Sequence, residues 1–237
     1  MQIGNGITLG QGLTIYPDPA TGLVTGSLLF NLDMRNYVSG TTWPDTSGNV
    51  NNFTFSGTPT VTNTGTSTAY WNNNPGSVIA TASGAIFGAV ANYSKGIVVR
   101  GNGTSFGTGN LISSTAGEAW YFNGGNTMYG GNNNGDGVNT SYQSSGSEAY
   151  NIWYYLSMTF ITGTGWQFYV NGSPVSTFSA STVGKLASTP QIGGFANSYT
   201  LAGSVGVAHV YTRALTAAEH LQNANYYLTR YNGSTPA

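Results

Sequence analysis

Residues 123–143, NGGNTMYGGNNNGDGVNTSYQ, gather side chains suited to recognition chemistry. Asp136 offers a carboxylate, Asn132 and Asn134 offer amides, and Tyr129 and Tyr142 offer rings. Polar groups of this kind take the hydroxyls of a sugar, while a ring stacks on its apolar face, so the set fits a saccharide. Trp71, in TAYWNNNPG, reads as an exposed ring that would serve a sugar or a protein contact equally. Trp153 and Trp166 fall in strongly apolar segments and read as core. Read plainly, the Gly/Asn run is the tip of a hairpin, and its composition favours that reading over a site.

Hydrolysis asks for more than the chain provides. A retaining glycosidase needs two carboxylates about 5 Å apart. The seven acids are Asp18, Asp33, Asp45, Glu118, Asp136, Glu148 and Glu219, and no two lie within five residues of each other. A non-local pair, such as Glu118 with Glu148, stays open. His209 and His220 have no Ser, Cys or acid at a spacing that suggests an acyl-transfer triad, so both read as structural or solvated. No catalytic residue is expected. The run GGNNNGDGV has the form of a calcium-binding nonapeptide, but such repeats bind as stacked coils and here there is one copy.

Composition narrows the classes further. Only 5% of the 237 residues are charged and the net charge is −1, against roughly 25% charged in an ordinary domain. No basic field favours nucleic acid or an anionic membrane. There is no cysteine, which excludes a disulfide frame and a thiolate nucleophile. No 18-residue apolar run occurs, and no basic segment followed by an apolar one marks an export signal. The six Asn-x-Ser/Thr sequons follow from an Asn-, Ser- and Thr-rich composition.

Short β-forming runs between Gly and Asn turns predict an all-β sandwich or barrel. Strands are expected at 27–34, 77–83, 96–100, 110–115, 118–124, 152–160, 165–172 and 203–211. In WQFYV, Trp166, Phe168 and Val170 share one face, and Asn171-Gly172 supplies a tight hairpin turn. One helix is signalled near the end: Thr216 as N-cap with Glu219 three residues on forms a capping box. Leu221, Ala224, Asn225 and Leu228 then recur at helical spacing, and Gly233 ends the run.

Four of these stretches carry a resemblance: 27–60, with W-x-D-x-S-G-N-x-N-N inside it; WYYLSMTF; GWQFYVNGSPV; and LAGSVGVAHVYTRALTAAEHLQN after IGG. In that order they resemble the concanavalin A-like lectin/glucanase superfamily, in its laminin-G/pentraxin-like jelly-roll branch. The resemblance implies a jelly roll of two antiparallel sheets with a short C-terminal helix in a domain over residues 23–233, while residues 1–22, with Pro17 and Pro19 near their end, read as an arm and linker and 234–237 as a tail. Many members carry acids in the closing strand, where Gly206 and Val207 stand here, so a family-type calcium site is not supported and no cofactor is expected.

The arm repeats itself, IGNGIT then LGQGLT. Two hexads cannot close a free-standing coil. Against a partner's sheet edge, Ile3, Ile7, Leu9, Leu13 and Ile15 would fill pockets while the backbone extends a ladder. The arm and the helix extension resemble versions in tailed-phage virion proteins. That implies a structural virion component, a capsid decoration or tail-associated protein, with other virion proteins as partners and a homo-oligomeric or larger assembly. The alternative expectation is a host-recognition module that binds cell-surface glycans.

Overall fold

Alternation sets the strands. Phe53 and Phe55 point inward while Thr54 is exposed, and Trp120 and Phe122 are buried on either side of half-exposed Tyr121. The computed structural model describes residues 7–9, 13–15, 22–73, 78–86, 91–101, 106, 109–114, 120–122, 127–130, 140–143, 152–179, 189–195 and 198–232. Its strands pair antiparallel throughout, as a jelly-roll sandwich requires.

The larger sheet runs in the order Ser173–Ser179, Gly165–Val170, Tyr154–Ile161, Asn92–Gly101, Gly203–Tyr211, Tyr70–Asn73, Thr60–Thr62. The second half of Gly203–Tyr211 pairs instead with Leu28–Asp33. Facing it, a five-stranded sheet runs Ile112–Ser114, Pro190–Ile192, Ala80–Ala82, Phe53–Phe55, Thr42–Trp43. Phe30, Ile97, Leu156, Phe168 and Val210 from the first sheet meet Trp43, Phe53, Ile112 and Ile192 from the second in one core. Removing this apolar area from water is the main force that holds the layers together.

The helix Ala217–Asn232 covers the outer face of the larger sheet, where Tyr227, Ala224 and Leu228 pack on Val98, Tyr155 and Val207. Gly203–Tyr211 is therefore buried along its whole length. The capping box forms: the Thr216 N–H donates to Glu219 Oε2 at 2.8 Å, and the Glu219 N–H donates to Thr216 Oγ1 at 3.3 Å. The buried helix face differs from the expected one. It consists of His220, Asn223, Ala224, Tyr227 and Leu228, while Leu221 is exposed. The shift has a tertiary cause: Asn223 bonds the Val24 N–H and the Tyr211 hydroxyl, so a polar residue is satisfied inside. Asn171 and Gly172 both take positive φ, 52° and 83°, and close the hairpin as the dipeptide dictates.

The arm forms a small hairpin of its own. Ile7–Leu9 pairs with Leu13–Ile15 in the register Ile7–Ile15, Thr8–Thr14, Leu9–Leu13. Ile3 lies outside the described residues.

Candidate functional site

A third, three-stranded sheet carries the candidate site: Trp120–Phe122, Thr127–Gly130 and Thr140–Gln143. It is anchored from below. Trp120, Phe122 and Met128 are buried in the core, and Phe122 stacks on Phe106 with centroids 4.3 Å apart. The Leu111 N–H donates to Trp120 O and the Phe122 N–H to Gly109 O, which ties the sheet to the main sandwich. Ser113 donates to Asn110 Oδ1 at 2.7 Å and accepts from the Trp120 N–H at 3.3 Å.

Alternation then turns Tyr121 and Tyr129 away from that core. They are direct cross-strand partners and both are half-buried. Their rings lie nearly parallel, 16° apart in plane, with centroids 5.2 Å apart. Burial, and secondarily the Tyr129 phenol beside it, pushes the Tyr121 hydroxyl above its ordinary pKa, so it stays a neutral donor and acceptor at physiological pH. The result is an offset-stacked pair of rings with hydroxyls attached, whose outward ring surface offers an apolar sugar face a place to pack.

Of the residues singled out in the sequence, only Tyr129 is seen in this place. Asn132, Asn134 and Asp136 fall in the segment joining two strands of the sheet, outside the described residues. Tyr142 is the cross-strand partner of Met128, whereas Ser141 is the partner of Tyr129. Tyr121 was missed, although its position between Trp120 and Phe122 marks it as the outward residue of an apolar strand. Trp71 requires correction. It is fully buried, packed edge-on against Trp43 and Phe55 at 6.3 and 5.1 Å, because its strand turns it into the core. It cannot stack on a ligand.

The described acids are structural. Asp45 accepts four hydrogen bonds, from the N–H groups of Asn31, Ser47 and Asn51 and from the Ser47 hydroxyl, all at 2.8 to 2.9 Å. Asp33 is fully buried between Arg35 and Arg230 at 3.0 and 2.9 Å. Glu219 serves the cap and Arg213. Asp18, Glu118, Asp136 and Glu148 lie outside the described residues, and with them the Glu118–Glu148 pair. Among the described residues, no three His, Asp or Glu side chains cluster to hold a metal ion.

His209 is fully buried, because the helix lies over it. It hydrogen-bonds the Tyr155 hydroxyl at 2.9 Å, and His220 bonds Thr159 Oγ1 at 2.7 Å. Burial pushes both imidazoles down to about 3, so they are neutral packing groups.

Solved structures share this fold at low identity. Domain 4 of AbnA, a GH43 extracellular arabinanase from Geobacillus stearothermophilus solved with arabinotriose, is similar with a TM-score of 0.64 at 14% identity, covering 84% of this chain and 98% of its own. The binding domain of Paraclostridial Mosquitocidal Protein 1 gives 0.63 at 16% identity, covering 86% and 53%. The binding domain of botulinum neurotoxin DC in complex with SialylT gives 0.63 at 15% identity, covering 85% and 51%. The chain spans about half the length of these two toxin domains. Likeness at such identity shows the β-sandwich fold and nothing finer. No protein-family model matches the chain, and no curated protein matches it in sequence.

Proposed function

We propose that this chain is a non-catalytic, lectin-like module that binds glycans. The carrying observation is the parallel, half-buried pair Tyr121–Tyr129 on a sheet whose other face is locked into the core. A sugar ring packs on the outward surface of this stacked pair. Asn132, Asn134 and Asp136, which follow Tyr129 in the chain, take its hydroxyls. Structures of similar fold support the reading, one in complex with arabinotriose and one with SialylT. Among the described residues, Asp33, Asp45 and Glu219 are tied to structural partners, so none of these three serves hydrolysis.

A glycan array on the full chain tests this. The expected result is a defined ligand set, with Tyr121→Ala and Tyr129→Ala each losing at least tenfold in affinity, about 1.4 kcal/mol. An empty array, or unchanged binding in both variants, sinks the reading.

A second reading rests on the arm and the resemblance: a structural place in a phage particle, beside other virion proteins. The Ile7–Ile15 hairpin pairs with no other strand among the described residues, which leaves its edges for a partner subunit. Structures of similar fold lend this reading no support. Deleting residues 1–16 is expected to abolish self-association or incorporation into particles; normal assembly of the truncated chain contradicts it.

A further inference from the structure

An open groove of about 490 Å³ lies where the strand Leu28–Asp33 meets the turn that follows Asp45. Its size falls in the range of small-molecule sites. Two amides are fixed at its wall. Asn49 Nδ2 donates to Leu28 O at 2.7 Å and to Leu29 O at 3.0 Å, and Asn51 Nδ2 donates to Leu29 O at 2.8 Å. Anchoring the nitrogens fixes the amide planes, and neither Oδ1 accepts a bond from the described protein. The groove wall thus holds two amides in fixed planes together with Ser27 and Thr212, whose hydroxyl donates to Ser27 O at 3.4 Å, and partly buried Leu29 and Ile86.

Backbone strain marks the same place. Ser27 and Val50 have φ of 63° and 59°, and Val50 is β-branched and 73% exposed. Such a conformation is unfavourable for a residue other than glycine and concentrates at ligand clamps. At Val50 it brings Asn49 and Asn51 together onto the single carbonyl of Leu29. No charged residue lines the groove, so a charged ligand finds no counterion there.

We infer that this groove is a second saccharide subsite, for a neutral pentose or hexose unit. Its hydroxyls donate to the Asn49 and Asn51 oxygens and exchange bonds with Ser27 and Thr212, and its apolar face rests on Leu29 and Ile86. The inference depends on the glycan reading above, and places a binding surface apart from the tyrosine pair.

The test is solution NMR on the full chain, titrated with arabinotriose and with the methyl glycosides of glucose and galactose at millimolar concentration. The expected result is movement of the Asn49 and Asn51 side-chain amide resonances that persists in the Tyr121→Ala/Tyr129→Ala double variant. Adding Thr212→Trp, which fills the groove, weakens that residual binding at least tenfold. If saccharide moves the Tyr121 and Tyr129 resonances of the unaltered chain but not those of Asn49 and Asn51, the groove is not a subsite and the glycan reading stands. If no resonance moves with any saccharide, both are overturned. Mapping on the unaltered chain keeps the test valid if Thr212→Trp fails to fold.

Discussion

His209 and His220 carry the clearest pH dependence in the molecule. His209 is enclosed by Tyr155, Tyr211 and Tyr227, and His220 packs at 3.9 Å on Tyr169 beside Glu219. Each stays neutral in the fold down to about 3, whereas in the unfolded chain each takes a proton near 6.5. Between those values the unfolded state binds more protons, so stability is full above pH 6.5 and is lost as pH falls toward 3. The loss amounts to roughly 1.4 kcal/mol per pH unit for each histidine at most. Glu219 acts lower in the range: Arg213 and the Thr216 cap hold it at about 2, so its contribution disappears as pH falls from 4.5 to 2. Urea unfolding at a series of pH values is expected to show midpoints that drop below pH 6, with a shallower slope for His209→Phe. A flat profile from pH 7 to 4 contradicts the buried, neutral assignment.

The turn after Trp43 shows how one element protects another. The strand Leu28–Asp33 pairs on one side with Gly203–Tyr211 and would present an open edge on the other. Side chains of the turn fill that edge: Asp45 accepts from the Asn31 N–H, Thr46 donates to Asn31 O, and Asn49 and Asn51 cap Leu28 O and Leu29 O. Asp45→Ala leaves three backbone N–H groups and one hydroxyl without their acceptor, and is expected to cost about 3 kcal/mol in urea unfolding. A loss below 1 kcal/mol shows that water replaces these bonds freely. The local signals in the sequence were the legible ones. The capping box at Thr216 and Glu219, the Asn171-Gly172 turn and the alternation in WQFYV depend on neighbours in the chain, and all three form as read. Contacts set by register over distance were not legible. Trp71 looked exposed because Asn72, Asn73 and Asn74 follow it, yet its strand turns it toward Trp43. Tyr121 was passed over because only cross-strand pairing places it beside Tyr129. His220, Asn223 and Tyr227 broke the apolar helix pattern because each finds a partner on the sheet or its flanking chain.

As a whole, the molecule is a nearly uncharged sandwich whose larger sheet is covered on both faces over much of its area, by the second sheet within and by the helix without. The tyrosine pair stands half-buried on the face of the small Trp120–Phe122 sheet that is turned from the core. With a net charge of −1, electrostatic steering is weak, so the proposed glycan binding is expected to respond little to salt. The decisive measurement is calorimetric titration of the strongest array ligand into the full chain and into the Tyr121→Ala/Tyr129→Ala variant, with circular dichroism confirming that the variant folds. The account predicts saturable binding to the unaltered chain and a loss of tenfold or more in the folded variant. Equal affinity in the two proteins contradicts it.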